Sequence, residues 1–130
     1  MKTKSNQSPH AIEARIRKRL SRRFHIQLEK KDLEIKDGVT AEFDLVSRRA
    51  KTVGQIKTSA PRRKGKLKGQ IRKQTQFGDC SRDCLLLAAM KKSKTRLFIL
   101  TNRTMFNGFR SSPQGKAAEL LGVKIVSERI

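Results

Sequence analysis

Tryptophan and tyrosine are absent from this chain of 130 residues, and phenylalanine occurs only six times. A surface that holds single strands by stacking bases on aromatic rings therefore has little to build from. Cysteine occurs twice, as Cys80 and Cys84 in a C-x-x-x-C spacing. A structural zinc site asks for four ligands, commonly from two pairs, and the two histidines, His10 and His25, are far away in the chain. Two reduced thiols packed in or near the core are expected instead. No apolar run is long enough for a membrane helix or shaped like a signal-peptide core. The expectation is a soluble, intracellular (cytoplasmic) protein with no membrane partner and no small-molecule cofactor.

Acid is the remaining scarcity. Asp and Glu number 11 against 32 Lys and Arg, a net charge of +21. Such a chain repels itself unless a polyanion compensates, and the commonest polyanion is nucleic acid. The length fits a single domain, and a domain of this size buries about two-thirds of the surface its unfolded chain exposes. The expected division is a disordered tail over residues 1–7 and one folded domain over 8–130.

Two of the three prolines follow a serine, at Ser8-Pro9 and Ser112-Pro113. Serine as N-cap and proline in the first turn mark helix starts. After the first, Ile12, Ile16 and Leu20 form an apolar stripe on a basic helix whose one acid is Glu13. Phe24, Ile26 and Leu28 then alternate with polar residues, as do Leu33 and Ile35, which predicts a strand interrupted near Lys30-Lys31. Asp37-Gly38 is a turn signal. Val39, Ala41, Phe43 and Leu45 alternate as a half-buried strand, "RRAK" at 48–51 turns, and 52–59 returns. "RRKGKLKG" reads as a basic loop, and 67–77 as a helix broken at Gly78-Asp79. "CLLLAAM" is ambiguous between helix and strand; "TRLFILTN" is a buried strand; "TMFNGFR" reads as a loop that could show Phe106 and Phe109 to a ligand. A helix from Ser112 to Gly122 and a strand in "VKIVSERI" close the chain. The order is α-β-β-β-α-β-α-β, an α/β domain with a central mixed sheet flanked by helices.

With the turn at 48–51, Asp44 falls opposite Gln55 and Glu42 opposite Lys57, leaving Phe43, Leu45, Gly54 and Ile56 to the core face. Directly opposed side chains lie about 5 Å apart, so these four polar residues would form one patch. Asp44 and Gln55 supply oxygen ligands suited to Mg²⁺ (or Mn²⁺), which keeps several waters. A metal-bound water is acidic enough to attack a phosphodiester, and Lys57 can stabilise charge on the phosphate. Glu13 can approach from the first helix. The plainer alternative is a solvated strand face with a Glu42–Lys57 salt bridge. "EKK" at 29–31 and "EIK" at 34–36 also match E-x-K but have no acid on a paired preceding strand.

A helix bearing Glu13, a strand bearing Asp44, a strand bearing Gln55-x-Lys57, then helix and strand: this order resembles the PD-(D/E)xK nuclease superfamily. The D…QxK form is similar to its Mrr-like restriction endonuclease branch, as is the closing "LFILTNRTMFNGFRSSPQGKAAELLGVKIV". The resemblance implies a restriction-endonuclease-like core and a Mg²⁺- or Mn²⁺-dependent endonuclease hydrolysing DNA, duplex or branched. It makes Asp44 and Gln55 metal ligands, Lys57 the catalytic lysine and Glu13 a supporting acid, with Gln70 or Gln74 facing substrate. The approach "VTAEFDLV" lacks the glycines usual in that branch, and Thr58-Ser59 replace its basic-aromatic pair. Arg48, Arg49 and Lys51 at the hairpin tip, with Arg62, Arg63, Lys64, Lys66 and Lys68 beyond, are candidate phosphate contacts. One active site cuts one strand, so double-strand cleavage would need a homodimer. Two other readings remain: an inactive DNA-binding module of the same fold, and a ribosomal-protein-like RNA binder.

Overall fold

The computed structural model describes residues 8–59 and 66–129, and for 66–76 only their place in a helix. The tail over 1–7 and the basic residues Arg62, Arg63 and Lys64 lie outside that range. Helix α1 (Pro9–Phe24) leads into strands β1 (Glu29–Lys36), β2 (Val39–Val46) and β3 (Thr52–Lys57). Helix α2 (Lys66–Ala89), β4 (Thr95–Leu100), α3 (Arg103–Ser111), α4 (Pro113–Leu120) and β5 (Lys124–Ser127) follow. The five strands lie in sequence order, with β1–β2–β3 antiparallel and β3–β4–β5 parallel. The expected mixed sheet and element order hold, with one added helix.

The sheet divides the core in two. On one face α1 buries Ile16 and Leu20 against Leu45, Ile56, Leu97 and Ile99. On the other, α2, α3 and α4 bury Cys80, Cys84, Leu87, Met105, Phe106, Phe109 and Ala118 against Phe43, Val46, Val53 and Phe98. Both cysteines are buried and free, as expected. Burial pushes both thiols up to about 12, for Cys80 despite the nearby Lys57 charge, so neither is a thiolate at neutral pH.

Four local expectations are corrected. The alternation at 24–28 is not strand: α1 runs through Phe24 and ends at a left-handed His25 (φ 56°), whose N–H bonds the Arg22 and Ser21 carbonyls. Strand β1 passes through Lys30-Lys31 without a break, an edge strand that can carry charge on its exposed side. Helix α2 continues through Gly78-Asp79. Nothing crowds Gly78, and Cys80, Cys84 and Leu87 at i, i+4, i+7 form a buried stripe that outweighs one glycine's cost of about 1 kcal/mol. "TMFNGFR" is helix α3, capped by Asn102, whose side chain accepts from the Met105 N–H at 3.0 Å. Phe106 and Phe109 are therefore core and do not face a ligand.

Candidate active site

The hairpin register is the expected one where β2 and β3 pair: Leu45 opposite Gly54 and Val46 opposite Val53. Beyond that point the two strands part, while β3 stays paired with β4 along Thr52–Lys57. The cause is a bulge. Against β1, three steps of β2 (Val46 to Phe43) match two steps of the partner (Glu29 to Lys31), so β2 carries one extra residue around Asp44. The bulge reverses the side-chain alternation. Phe43 and Leu45, expected on one face, pack in the two opposite clusters.

Side chains from both strands fill the opening. The Ile56 N–H donates to the Asp44 carboxylate at 2.8 Å. Gln55 Nε2 donates to the Glu42 carbonyl at 3.0 Å, and the Asp44 N–H reaches Gln55 Oε1 at 3.4 Å. The acid and the amide replace ladder bonds that the splayed backbones can no longer make, as buried N–H and C=O groups require. Gln55 is 6% exposed, so its amide is turned toward backbone. Glycine at 54 permits this packing: a Cβ there would meet a Leu45 methyl at 2.9 Å and the Leu97 carbonyl at 3.1 Å.

The structure brings Glu13 and Asp44 together, each within electrostatic reach of the other. It separates Glu42 from Lys57. Glu42 pairs with Lys30 of β1 at 3.7 Å, and Lys30 also reaches Glu13 at 3.8 Å. Lys57 faces the α2 side, where its charge acts on Asp83 and Cys80. The expected single patch is thus two half-patches joined by Asp44. Arg17 steadies the joint by donating to the Asp44 carbonyl at 2.9 Å.

Asp83 is the residue that sequence reasoning missed. It enters from α2, and the charges of both Lys57 and Asp44 act on it. Its spacing of three and four residues from Cys80 and Leu87 was the available signal, visible only once α2 is known to be unbroken.

Three of these carboxyls are held above their ordinary pKa. Burial raises Glu13, and the Asp44 charge adds to it against Lys30. Burial raises Asp44, opposed by the Ile56 hydrogen bond and by the Lys30 and Arg17 charges. Burial raises Asp83, opposed chiefly by Lys57. Grouped perturbed carboxyls of this kind are a mark of functional sites. Among the described residues, no three of His, Cys, Asp and Glu converge on one point at metal-binding distance. Lys66, Lys68, Gln70 and Gln74 fall on α2, upstream of the part whose side chains are described.

Comparison with family models, with curated proteins and with solved structures yields no match for this chain. No helix among the described residues is long and apolar enough to cross a membrane.

Proposed function

We propose that the chain is a divalent-metal-dependent endonuclease with a restriction-endonuclease-like core, hydrolysing phosphodiester bonds in DNA. The observation that carries this reading is the opening between β2 and β3. In a chain of net charge +21, three carboxyls with raised pKa, Glu13, Asp44 and Asp83, gather around it with Lys57 at its edge. Half-buried carboxyls that disfavour their own ionisation are stabilised by a cation.

The donor set fits Mg²⁺ or Mn²⁺ rather than a cage-forming metal. Asp44 offers carboxylate oxygen and Gln55 an amide oxygen whose contact from the Asp44 N–H is long at 3.4 Å. Mg²⁺ is commonly held by one or two carboxylates, with waters and substrate phosphate completing its shell. When bound, the metal would supply Lewis acidity at the phosphate and a more acidic water. Lys57 stabilises charge developing on the phosphate. Glu13 and Asp83 hold the field on either side of Asp44. The surrounding excess of Lys and Arg draws the polyanion in.

A second reading is a DNA-binding module of the same fold without catalysis. The engagement of Gln55 with the Glu42 and Asp44 backbone favours it, since an amide spent on the fold is a poorer metal ligand. Plasmid nicking at low salt separates the two. Wild type and Lys57→Ala are compared in Mg²⁺, Mn²⁺ and EDTA. Nicking that needs metal and disappears in Lys57→Ala is expected. A wild type that binds plasmid in metal without cutting it overturns the enzyme reading and leaves the module.

A further inference from the structure

The turn between β2 and β3 is not built like an ordinary surface turn. Arg49 (φ 60°, ψ 18°) and Ala50 (φ 53°) are consecutive non-glycine residues in the left-handed region, which L side chains avoid for steric reasons. The surroundings hold them there. The Ala50 N–H donates to the Ser47 carbonyl at 2.8 Å, and the buried Ser93 hydroxyl donates to the Ala50 carbonyl at 2.6 Å. The Lys94 and Thr95 N–H groups both bond the Lys51 carbonyl, at 2.9 and 3.0 Å. Backbone strain that its surroundings over-determine points to a functional position.

What the strained turn displays is charge. Arg48, Arg49 and Lys51 are exposed, and none pairs with an acid among the described residues. With Ile26 and Gln27 they line an open cavity of about 700 Å³ whose described lining holds no acid.

We infer that this turn is a rigid phosphate anchor, set about half a helical turn of duplex DNA away from the β2–β3 opening. The inference rests on the nuclease reading for the position of the bond that is cut. Strand β3 joins the two places directly. From Thr52 to Lys57 it spans five residue steps, roughly 16 Å at about 3.3 Å each. Half a turn of B-form DNA covers about 17 Å along its axis. Helix α1 spans the same ends, with Glu13 near Asp44 and the Ile26-Gln27 link at the cavity. On α1, Arg15, Lys18 and Arg22 are exposed at i, i+3 and i+7, a basic ridge on the side of the helix away from the buried Ile16 and Leu20.

A duplex presents phosphates at fixed spacing to two fixed points, with no ordering cost. A single strand would have to be ordered, and the surface offers it little stacking. Of the phenylalanines whose side chains are described, only Phe24 is exposed.

Binding measured in EDTA tests this without cleavage. The probes are duplexes of about 6, 12 and 24 base pairs, roughly half, one and two helical turns, and a single strand equal to the longest. Wild type is compared with Arg48→Ala/Arg49→Gly between about 50 and 200 mM salt. Glycine at 49 relieves the left-handed backbone, so a thermal melt at or above wild type shows that the variant folds. For wild type, affinity should step up between half a turn and one turn, and the single strand should bind more weakly. The variant should lose the step, bind on the order of tenfold more weakly, and show a salt slope shallower by about 1.8, two phosphates at about 0.9 each. An unchanged slope and step in the variant, or a wild type that prefers the single strand, overturns the inference. A length step lost in the variant while wild type never nicks in metal keeps the duplex anchor and removes the nuclease reading.

Discussion

Asp44 carries two duties that substitution can separate. Its carboxylate accepts the Ile56 N–H at 2.8 Å across the opening, and Ile56 is only 5% exposed. Asp44→Ala removes the acceptor and leaves that N–H buried and unpaired, a cost of about 1–3 kcal/mol. Asp44→Asn keeps an acceptor of the same reach and removes a charge that burial disfavours, the cause of the raised pKa. Its stability should stay within about 1 kcal/mol of wild type. A difference of 1 kcal/mol in a chain of 130 residues moves the melting temperature by roughly 3–5 °C. Alanine should therefore melt several degrees below wild type, and asparagine close to it. Nicking should fall at least about a hundredfold in both, the scale of losing one group that stabilises the transition state. The assay pair is thermal denaturation in EDTA and metal-dependent plasmid nicking. Asparagine that nicks like wild type would refute the metal-binding role of Asp44. Alanine that melts with wild type would refute its role in closing the strand gap.

Stability should depend on pH with two opposed contributions. Glu13, Asp44 and Asp83 hold their protons more tightly in the folded state, so their contribution grows as pH falls toward the ordinary carboxyl range and is lost as pH rises through their raised pKa. At Glu128 burial works upward, but hydrogen bonds from Arg23 (2.6 Å) and Arg19 (3.2 Å) and their charges outweigh it and lower the pKa. Its contribution is present above the ordinary carboxyl range and lost as pH falls through the lowered value. Denaturant titrations from neutral pH down to the ordinary carboxyl range, about pH 4, should show wild type gaining stability relative to Asp44→Asn/Asp83→Asn; parallel curves over the whole range would contradict the assignment. Gly115→Ala tests the packing of α3 on α4. Its Cβ would lie 2.0 Å from the Phe109 carbonyl oxygen, a backbone atom, so the cost should reach or exceed the roughly 1–3 kcal/mol of ordinary overpacking. A melt within 2 °C of wild type, about half a kcal/mol, would show that the turn gives way instead.

Local chemistry made much of this molecule readable from its letters. Ser8-Pro9 and Ser112-Pro113 start helices wherever they occur, because the serine oxygen meets a free N–H and the proline has none to waste. The "RRAK" turn with alternation on both sides set Leu45 against Gly54, since a hairpin register follows from its turn. The +21 charge follows from composition alone. The bulge at Asp44 was not readable. "AEFDLV" alternates the same way with or without an extra residue, and only pairing with β1 shows three steps set against two. That bulge put Phe43 and Leu45 on opposite faces, took Glu42 away from Lys57, and turned Asp44 and Gln55 into bridges across open backbone. Asp83 was hidden for a related reason: a helix read as broken at Gly78 cannot say which of its residues reaches β3. Charge, caps and turns act within a few residues and belong to the sequence. The site is made where β1, β2, β3, α1 and α2 approach one another, and the free energy that places a carboxyl there belongs to contacts between distant segments.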